Sequence, residues 1–217
     1  MNERENELEL ERRIAERTAE LNHANGKLRE EAVEREALVA RLRDQEERMR
    51  FMAQHDSLTG LPNRYSMQER LGLALALAKR NRKKVAVMLV DLDGFKKVND
   101  TRGHNAGDQV LTVVAQRMRS SVRGSDTVAR IGGDEFVVLA GDLDRAEVAA
   151  MIAEKISDMV QLPIAIEGGA PWKITCSIGI SVFPDAQASA ELLEQADRAM
   201  YRAKAAKDKR FAYYAAA

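Results

Sequence analysis

The stretch RIGGDEFVVL, residues 130–139, decides how this 217-residue chain is interpreted. Within this stretch, Ile131 and the run 136–139 are typical of a buried strand. Two glycines and two acids at 132–135 interrupt that strand. Paired glycines allow positive φ and a tight hairpin to which a ligand can come close. The stretch therefore predicts two facing strands, 127–131 and 135–140, joined by a turn that carries carboxylates.

Strands and helices alternate on both sides of this turn. Hydrophobic periodicity predicts strands at 84–92, 174–183 and 211–214, the last as a closing edge strand, and helices at 66–80, 106–122, 144–160 and 189–206. The pattern indicates an α+β fold with a central, mostly antiparallel sheet flanked by helices.

Residues 4–53 are dense in Glu, Arg, Leu and Ala and contain no proline. Apolar side chains there keep a seven-residue period that is interrupted at Arg35: Ile14, Leu21, Leu28, Leu42 and Met49. This period predicts a two-stranded coiled coil; the alternatives are an isolated charged helix and a disordered tail. We divide the chain into a coiled-coil signalling and dimerisation helix, 1–54, and a globular domain, 55–217.

The stretch HDSLTGLPNR, residues 55–64, forms the predicted linker into the globular domain. Asp56 or Ser57 can cap a short helix, Gly60 can take positive φ, and Pro62 prevents one continuous rod.

Composition excludes several classes of protein. Lys plus Arg equal Asp plus Glu at 34 each, which argues against a nucleic-acid surface. One cysteine excludes an internal disulfide, and three separated histidines disfavour zinc. No apolar run is long enough for a membrane span, and the charged N-terminus is unlike a signal peptide. We expect a cytoplasmic fragment without nucleic-acid or membrane contact, cut from a longer protein.

Carboxylates also end the predicted strand 84–92. Alternation puts Asp91 and Asp93 on one face, where they converge with the hairpin acids if the two strands are neighbours. Carboxylates without Cys or His select Mg²⁺, which takes further ligands from phosphates and water. With Lys96 and Lys97 nearby, a nucleoside triphosphate site with two metals is predicted. By spacing alone, a plain hairpin turn and a helix-capping aspartate remain the alternative.

The motif GGDEF at 132–136 resembles the signature of the GGDEF domain, the diguanylate cyclase family. Further stretches resemble that family's motifs in the same order: DSLTGLPNR (56–64), DLDGFKKVNDTRGHNAGDQVL (91–111), CSIGIS (176–181) and ADRAMYRAK (196–204). The resemblance implies a fold similar to nucleotide cyclases and polymerase palm domains. It also implies a reaction that joins two GTP into cyclic di-GMP and two pyrophosphates.

The resemblance implies the metal site as well. Asp91, Asp134 and the Leu92 carbonyl would bind Mg²⁺, two ions per site, with Mn²⁺ as a substitute, and Glu135 would support them. Asp134 is also the residue usually proposed to deprotonate the attacking 3′-hydroxyl, although metal polarisation can serve that step.

Substrate contacts follow from the same resemblance. Lys96 would stabilise charge on the phosphates, and Lys204 would contact the triphosphate. Asn99 and Asp108 would bind the guanine edge, and His104 would contact the nucleotide. Phe95 would pack beneath the site, and Gly132 and Gly133 would let the backbone approach the nucleotide closely. The alternative for His104 is a partly buried histidine at a helix start.

One departure concerns the phosphates. Family members follow the YxAK motif with two residues and then Gly-Arg-Asn, whereas this chain has Lys207, Asp208 and Lys209 there. An aspartate thus replaces the phosphate-contacting arginine. We expect lower GTP affinity, with Lys207 or Lys209 as possible compensation.

RGSD at 123–126 resembles the family's inhibitory RxxD motif. Arg123 and Asp126 would bind the product, cyclic di-GMP, because an arginine fork suits phosphates and guanine edges. The alternative is a salt bridge at a helix C-terminus.

One domain holds one GTP, so the implied reaction needs a homodimer. The N-terminal helix resembles signalling helices that join sensor modules to GGDEF domains, which implies an upstream sensor domain absent from this chain. A coiled coil would supply high effective concentration. Three rivals remain: a catalytically silent module that binds GTP or cyclic di-GMP, a structural dimerisation protein, and a cyclase of another nucleotide.

Overall fold

The computed structural model describes residues 3–166, 170–186, 188–206 and 209–214. Contacts within the chain divide it into two units, Met1–Ala53 and Gln54–Ala217. In the described part of the chain, no helix has both the length and the apolar character needed to cross a bilayer.

The first unit consists of helix α1, Glu3–Gln54. The residues of the seven-residue period are all exposed on this helix: Ile14, Leu21, Leu28, Leu42 and Met49. Ion pairs one turn apart, such as Arg12–Glu16 and Arg48–Asp44, lie along its surface. A helix that leaves a regular apolar stripe unburied is consistent with the predicted coiled coil.

The second unit is built on one five-stranded sheet. Its strands are β1 Lys84–Asp93, β2 Thr127–Gly132, β3 Glu135–Leu143, β4 Thr175–Phe183 and β5 Phe211–Tyr213. The strand order is β2-β3-β1-β4-β5, and only the β4–β5 pair is parallel. The predicted α+β fold with a mostly antiparallel sheet is confirmed, and β1 lies at its centre.

Five helices accompany the sheet: α2 Arg64–Asn81, α3 Phe95–Arg102, α4 His104–Ser121, α5 Glu147–Val160 and α6 Ser189–Ala206. Alternation along β1 separates two apolar layers. Met88 and Val90 belong to the layer with α4 and α5, whereas Val87 and Leu89 belong to the layer with α2 and α6. Asp91 continues the second set, so its side chain starts on the α6 face of the sheet.

Two local expectations need correction. Helix α3 was not predicted, because its sequence FKKVNDTR has only two buried side chains, Phe95 and Val98. The linker has a turn rather than a short capped helix: the Asp56 carboxylate accepts the Thr59 N–H and hydroxyl, and Asn63 is the residue that caps α2. The turn does not continue into a helix because Gly60, which follows it, has a positive φ.

Candidate active site

The glycine-rich turn lies beside the end of the central strand. Gly132 pairs with Glu135, so Gly133 and Asp134 form a two-residue turn, and both glycines have positive φ, +153° and +50°. Glu135 is also the register partner of Asp91 on β1. The Leu92 N–H donates to the Asp134 carbonyl at 3.4 Å. Strands β1 and β3 are therefore neighbours, which is the condition under which the sequence predicted convergence of the strand-end and hairpin acids.

Asp91 makes an ion pair with Lys204 from α6. The Lys204 Nζ donates to Asp91 Oδ1 at 2.6 Å, and this hydrogen bond raises the pKa of the lysine. Asp91 is buried, with 9% of its surface exposed. A cation is thus held on the carboxylate expected to bind metal.

Glycine on β4 permits the close position of α6. A Cβ on Gly179 would lie 1.9 Å from the Ala196 carbonyl oxygen and 2.2 Å from the Met200 nitrogen. Lys204 follows Met200 by one helical turn. The absence of a side chain at Gly179 therefore lets α6 approach the sheet closely enough to present Lys204 to Asp91.

The ionisation of Asp134 depends on its burial and on neighbouring charges. Burial, and then the negative charge of Asp91, raise the pKa of Asp134 above its ordinary value of 3.8, although Lys204 and Arg130 act in the opposite direction. A like charge at short range disfavours the ionised form of a carboxyl group, whereas a nearby cation favours it. This arrangement is electrostatically suited to binding a further positive charge.

Asp93 has a different environment from Asp91. Its Oδ2 accepts the Thr175 hydroxyl at 2.9 Å, and its Oδ1 accepts the Ser177 hydroxyl at 2.8 Å. Both carboxylate oxygens thus have partners on β4, which fixes the end of β1 against that strand.

The predicted guanine-reading residues lie where α3 meets α4. The Asn99 Oδ1 is buried and has no hydrogen-bond partner. A Cβ on Gly107 would lie 2.0 Å from that oxygen and 3.1 Å from the Phe95 ring, so the amide packs directly on the glycine. Asp108, the next residue, is exposed. The half-buried Asn99, whose amide oxygen has no partner, and the exposed Asp108 carboxylate offer complementary groups for a base edge.

The remaining predicted residues vary in exposure. Lys96 on α3 is exposed, and Glu135 is half-buried. Phe95 is buried, with 9% exposure, beneath the contact of α3 and α4. His104 is the first residue of α4 and is exposed, so its alternative interpretation as a partly buried histidine is wrong.

A cavity of about 570 Å³ lies beside Asp93. Asp93, Lys204, Lys209 and Arg210 are among its lining residues. Three of these four side chains are cationic, which suits an anionic group. Lys207 and Asp208, the other substitutions for the family's Gly-Arg-Asn, lie outside the described residues.

The RGSD motif closes on itself before β2. Arg123 donates from Nε and Nη2 to the two carboxylate oxygens of Asp126, each at 3.3 Å, and from Nη2 to the Gly141 carbonyl at 3.2 Å. The Asp126 side chain is only 1% exposed, whereas that of Arg123 is 55% exposed. The salt bridge named as the alternative is therefore present. The RGSD motif and the hairpin lie at opposite ends of β2, which spans about 20 Å at the usual rise per residue.

Sequence reasoning missed several residues that shape the site. Thr175 and Ser177 hold Asp93, Gly107 and Gly179 permit close helix approach, and Arg130 contacts the hairpin. The alternating hydroxyl residues Thr175 and Ser177 in the stretch ITCSIGIS were the one local signal: they lie on one face of their strand and could have been predicted to bind an acid of β1. The other contacts depend on tertiary packing, which has no local signal.

Comparison with known proteins assigns the family. Residues 53–210 match the family described as diguanylate cyclase, GGDEF domain. The chain is 42% identical over 200 residues to the diguanylate cyclase TpbB of Pseudomonas aeruginosa, which covers 91% of this chain and 46% of that protein. It is also 42% identical over 160 residues to the cyclic di-GMP phosphodiesterase PdeR of Escherichia coli, covering 73% and 24%. The chain thus spans less than half the length of these relatives.

A solved structure resembles both units. The coiled coil and GGDEF domain of DgcB from Caulobacter crescentus, in complex with c-di-GMP, matches with a TM-score of 0.76 at 30% identity. The match covers 87% of this chain and 99% of that one.

Proposed function

This chain belongs to the diguanylate cyclase family of GGDEF domains, and we propose that it condenses two GTP into cyclic di-GMP with release of two pyrophosphates. The observation that carries the proposal is the convergence of Asp91 and Asp134 at one edge of the sheet. Lys204 of α6 reaches this edge, with its Nζ 2.6 Å from Asp91 Oδ1. The 42% identity to a protein named as a diguanylate cyclase supports it.

The donor set fits a divalent metal that is shared with the substrate. Among the described residues, no three His, Cys, Asp or Glu side chains gather closely enough to hold an ion by themselves. Two carboxylates with substrate phosphates are the usual environment of Mg²⁺. Asp91, Asp134, the Leu92 carbonyl and Glu135 would hold it, two ions per site, and Mn²⁺ could replace them. The metal would supply charge neutralisation and a more acidic 3′-hydroxyl.

The side chains would divide the work on GTP as follows. Asp134, whose pKa is raised chiefly by burial, accepts a proton more readily than an ordinary aspartate and would take the proton of the 3′-hydroxyl. Lys96, Lys204 and Lys209 would neutralise the phosphates, and the cavity beside Asp93 would accommodate them. His104 would contact the nucleotide from the start of α4.

Guanine selectivity would come from the α3–α4 contact. Asn99 and Asp108 can accept the N–H groups on the guanine edge, an arrangement that adenine does not offer. Phe95 supports this contact from below, and Gly132 and Gly133 leave room for the nucleotide along the hairpin.

Two domains must face each other for the reaction. Each 3′-hydroxyl attacks the α-phosphorus of the other GTP, and each attack expels one pyrophosphate. A parallel coiled coil through α1 would hold two domains at high effective concentration as a homodimer. Its exposed apolar stripe supports this role. We further propose a cytoplasmic location, an upstream sensor domain, and feedback by cyclic di-GMP at Arg123 and Asp126.

A second candidate is a catalytically silent module that binds GTP or cyclic di-GMP. The observation in its favour is the 42% identity to a relative named as a phosphodiesterase. Incubation with Mg²⁺ and either GTP or ATP, followed by mass spectrometry of the products, separates the candidates. Cyclic di-GMP from GTP, with no cyclic product from ATP, is expected. Nucleotide binding without any cyclic product would favour the silent module.

A further inference from the structure

We propose that Arg130 is a positioning residue that holds the hairpin turn, and with it Asp134, in place for the cyclase reaction. The inference rests on the proposed function and assigns a role to a side chain outside the GGDEF motif itself.

The guanidinium of Arg130 connects two separate elements. Its Nε and Nη2 donate to the Gly133 carbonyl at 3.0 and 2.8 Å. Its Nη1 donates to both carboxylate oxygens of Asp56 at 2.9 and 3.2 Å. Both side chains are largely buried, with 12% and 23% exposed for Arg130 and Asp56. The Nε and Nη2 side of the guanidinium thus binds the hairpin turn, and Nη1 binds the linker loop that contains Asp56.

The turn needs an external support because its own residues provide little. Gly132 and Gly133 have positive φ and no side chains, and glycine has more conformational freedom than any other residue. A peptide group is planar, so fixing the Gly133 carbonyl also fixes the direction of the Asp134 amide. On its other side, the Asp134 carbonyl accepts the Leu92 N–H. Asp134 is therefore held through the peptide groups before and after it.

The linker loop is a firm support for this contact. The Asp56 N–H donates to the Leu61 carbonyl at 2.8 Å, and its carboxylate accepts the Thr59 N–H and hydroxyl at 2.9 and 2.7 Å. The Arg130 N–H donates to the Pro62 carbonyl at 3.0 Å. These bonds fix Asp56 independently of the guanidinium. Arg130 therefore links the Gly133 carbonyl to a loop that is itself well held.

Substitution by lysine isolates this role, because one ammonium cannot bind both edges as the guanidinium does. The chain offers a matched control in Arg117. That arginine also donates to backbone carbonyls, those of Val160, Leu162 and Pro163, but it contacts the C-terminal end of α5 rather than the hairpin. Arg117→Lys therefore removes a comparable structural contact elsewhere.

The first experiment compares steady-state kinetics of the wild type, Arg130→Lys and Arg117→Lys, each corrected for its folded fraction. Arg130→Lys is expected to lose about 10–100-fold in kcat, because a displacement of the reacting group by about 1 Å has that effect. Its KM for GTP should stay within about twofold, and Arg117→Lys should retain kcat. Asp56→Asn is the milder second variant, and combining it with Arg130→Lys should cause no further loss.

The second experiment measures amide hydrogen exchange at residues 133–135 in the protein without nucleotide. Exchange there should be faster in Arg130→Lys and Asp56→Asn and unchanged in Arg117→Lys. Wild-type kcat in Arg130→Lys, or lost kcat without faster exchange at the hairpin, would overturn the inference. A wild-type protein without cyclase activity would contradict the proposed function alone, since the exchange result still decides whether Arg130 holds the turn.

Discussion

Replacing Gly107 by alanine tests the guanine-reading contact most sharply. The new Cβ would lie 2.0 Å from Asn99 Oδ1 and 3.0 Å from its Cγ. Carbon and oxygen atoms that are not bonded stay at least about 3 Å apart. The amide must therefore turn away by about 1 Å, which a terminal side-chain group can do without unfolding the domain.

The expected effect falls on the substrate rather than on stability. Alanine gains about 1 kcal/mol of helix propensity over glycine, which offsets much of the crowding near Phe95. A displaced Asn99 would lose the hydrogen bond to guanine proposed above, which would cost about 1–3 kcal/mol, or about 5–150-fold in kcat/KM for GTP.

Gly72 provides the matched control. It also lies within a helix, α2, and a Cβ there would meet nothing within 4 Å. Gly72→Ala should raise the free energy of unfolding by about 0.5–1 kcal/mol and leave the kinetics unchanged. Initial rates of cyclic di-GMP formation across a range of GTP concentrations, with chemical denaturation of each variant, measure both quantities. Unchanged kcat/KM in a folded Gly107→Ala protein would refute the role given to Asn99.

Four further predictions follow from individual contacts. Lys204→Met should strengthen Mn²⁺ binding without nucleotide, measured by calorimetry, because the competing ammonium on Asp91 is removed, and should weaken GTP binding. Arg123→Ala should relieve inhibition of initial rates by added cyclic di-GMP, and unchanged inhibition would exclude that site. Asp208→Arg should lower the KM for GTP; an unchanged KM would dismiss the expected affinity deficit. Although burial opposes it, hydrogen bonds from Thr59 and Arg130 lower the pKa of Asp56 below 3.8, so its stabilisation is fully present above pH 3.8 and is lost as the pH falls from there through the lowered pKa of the folded protein. Denaturation curves of Asp56→Asn should lack that acid-dependent part.

The sequence predicted what depends on local periodicity. The apolar run at 84–92, which ends in acid, indicated the central strand, and the interrupted strand at 130–139 indicated the hairpin. Prediction of α6 at 189–206 agreed with the structure to the residue. These features follow from the period of side chains along one element, which can be read without knowing its neighbours.

Contacts between distant elements could not be predicted in the same way. Arg130 and Asp56 are 74 residues apart, and neither position alone indicates a partner. Gly107 and Gly179 are ordinary glycines in the sequence, and their importance arises from helices that pack against them. Helix α3 escaped notice because it has only eight residues, most of them polar, and buries only Phe95 and Val98.

The central claim is that Asp134 and Asp91 form the reacting site of a cyclase. The most direct test incubates product-free wild-type protein and Asp134→Asn with GTP and Mg²⁺, and measures cyclic di-GMP by mass spectrometry together with GTP affinity. Asparagine preserves the shape of the side chain but removes its charge and basicity. We expect cyclic di-GMP from the wild type and none from Asp134→Asn, which should still fold and bind GTP. Equal product from both proteins would contradict it.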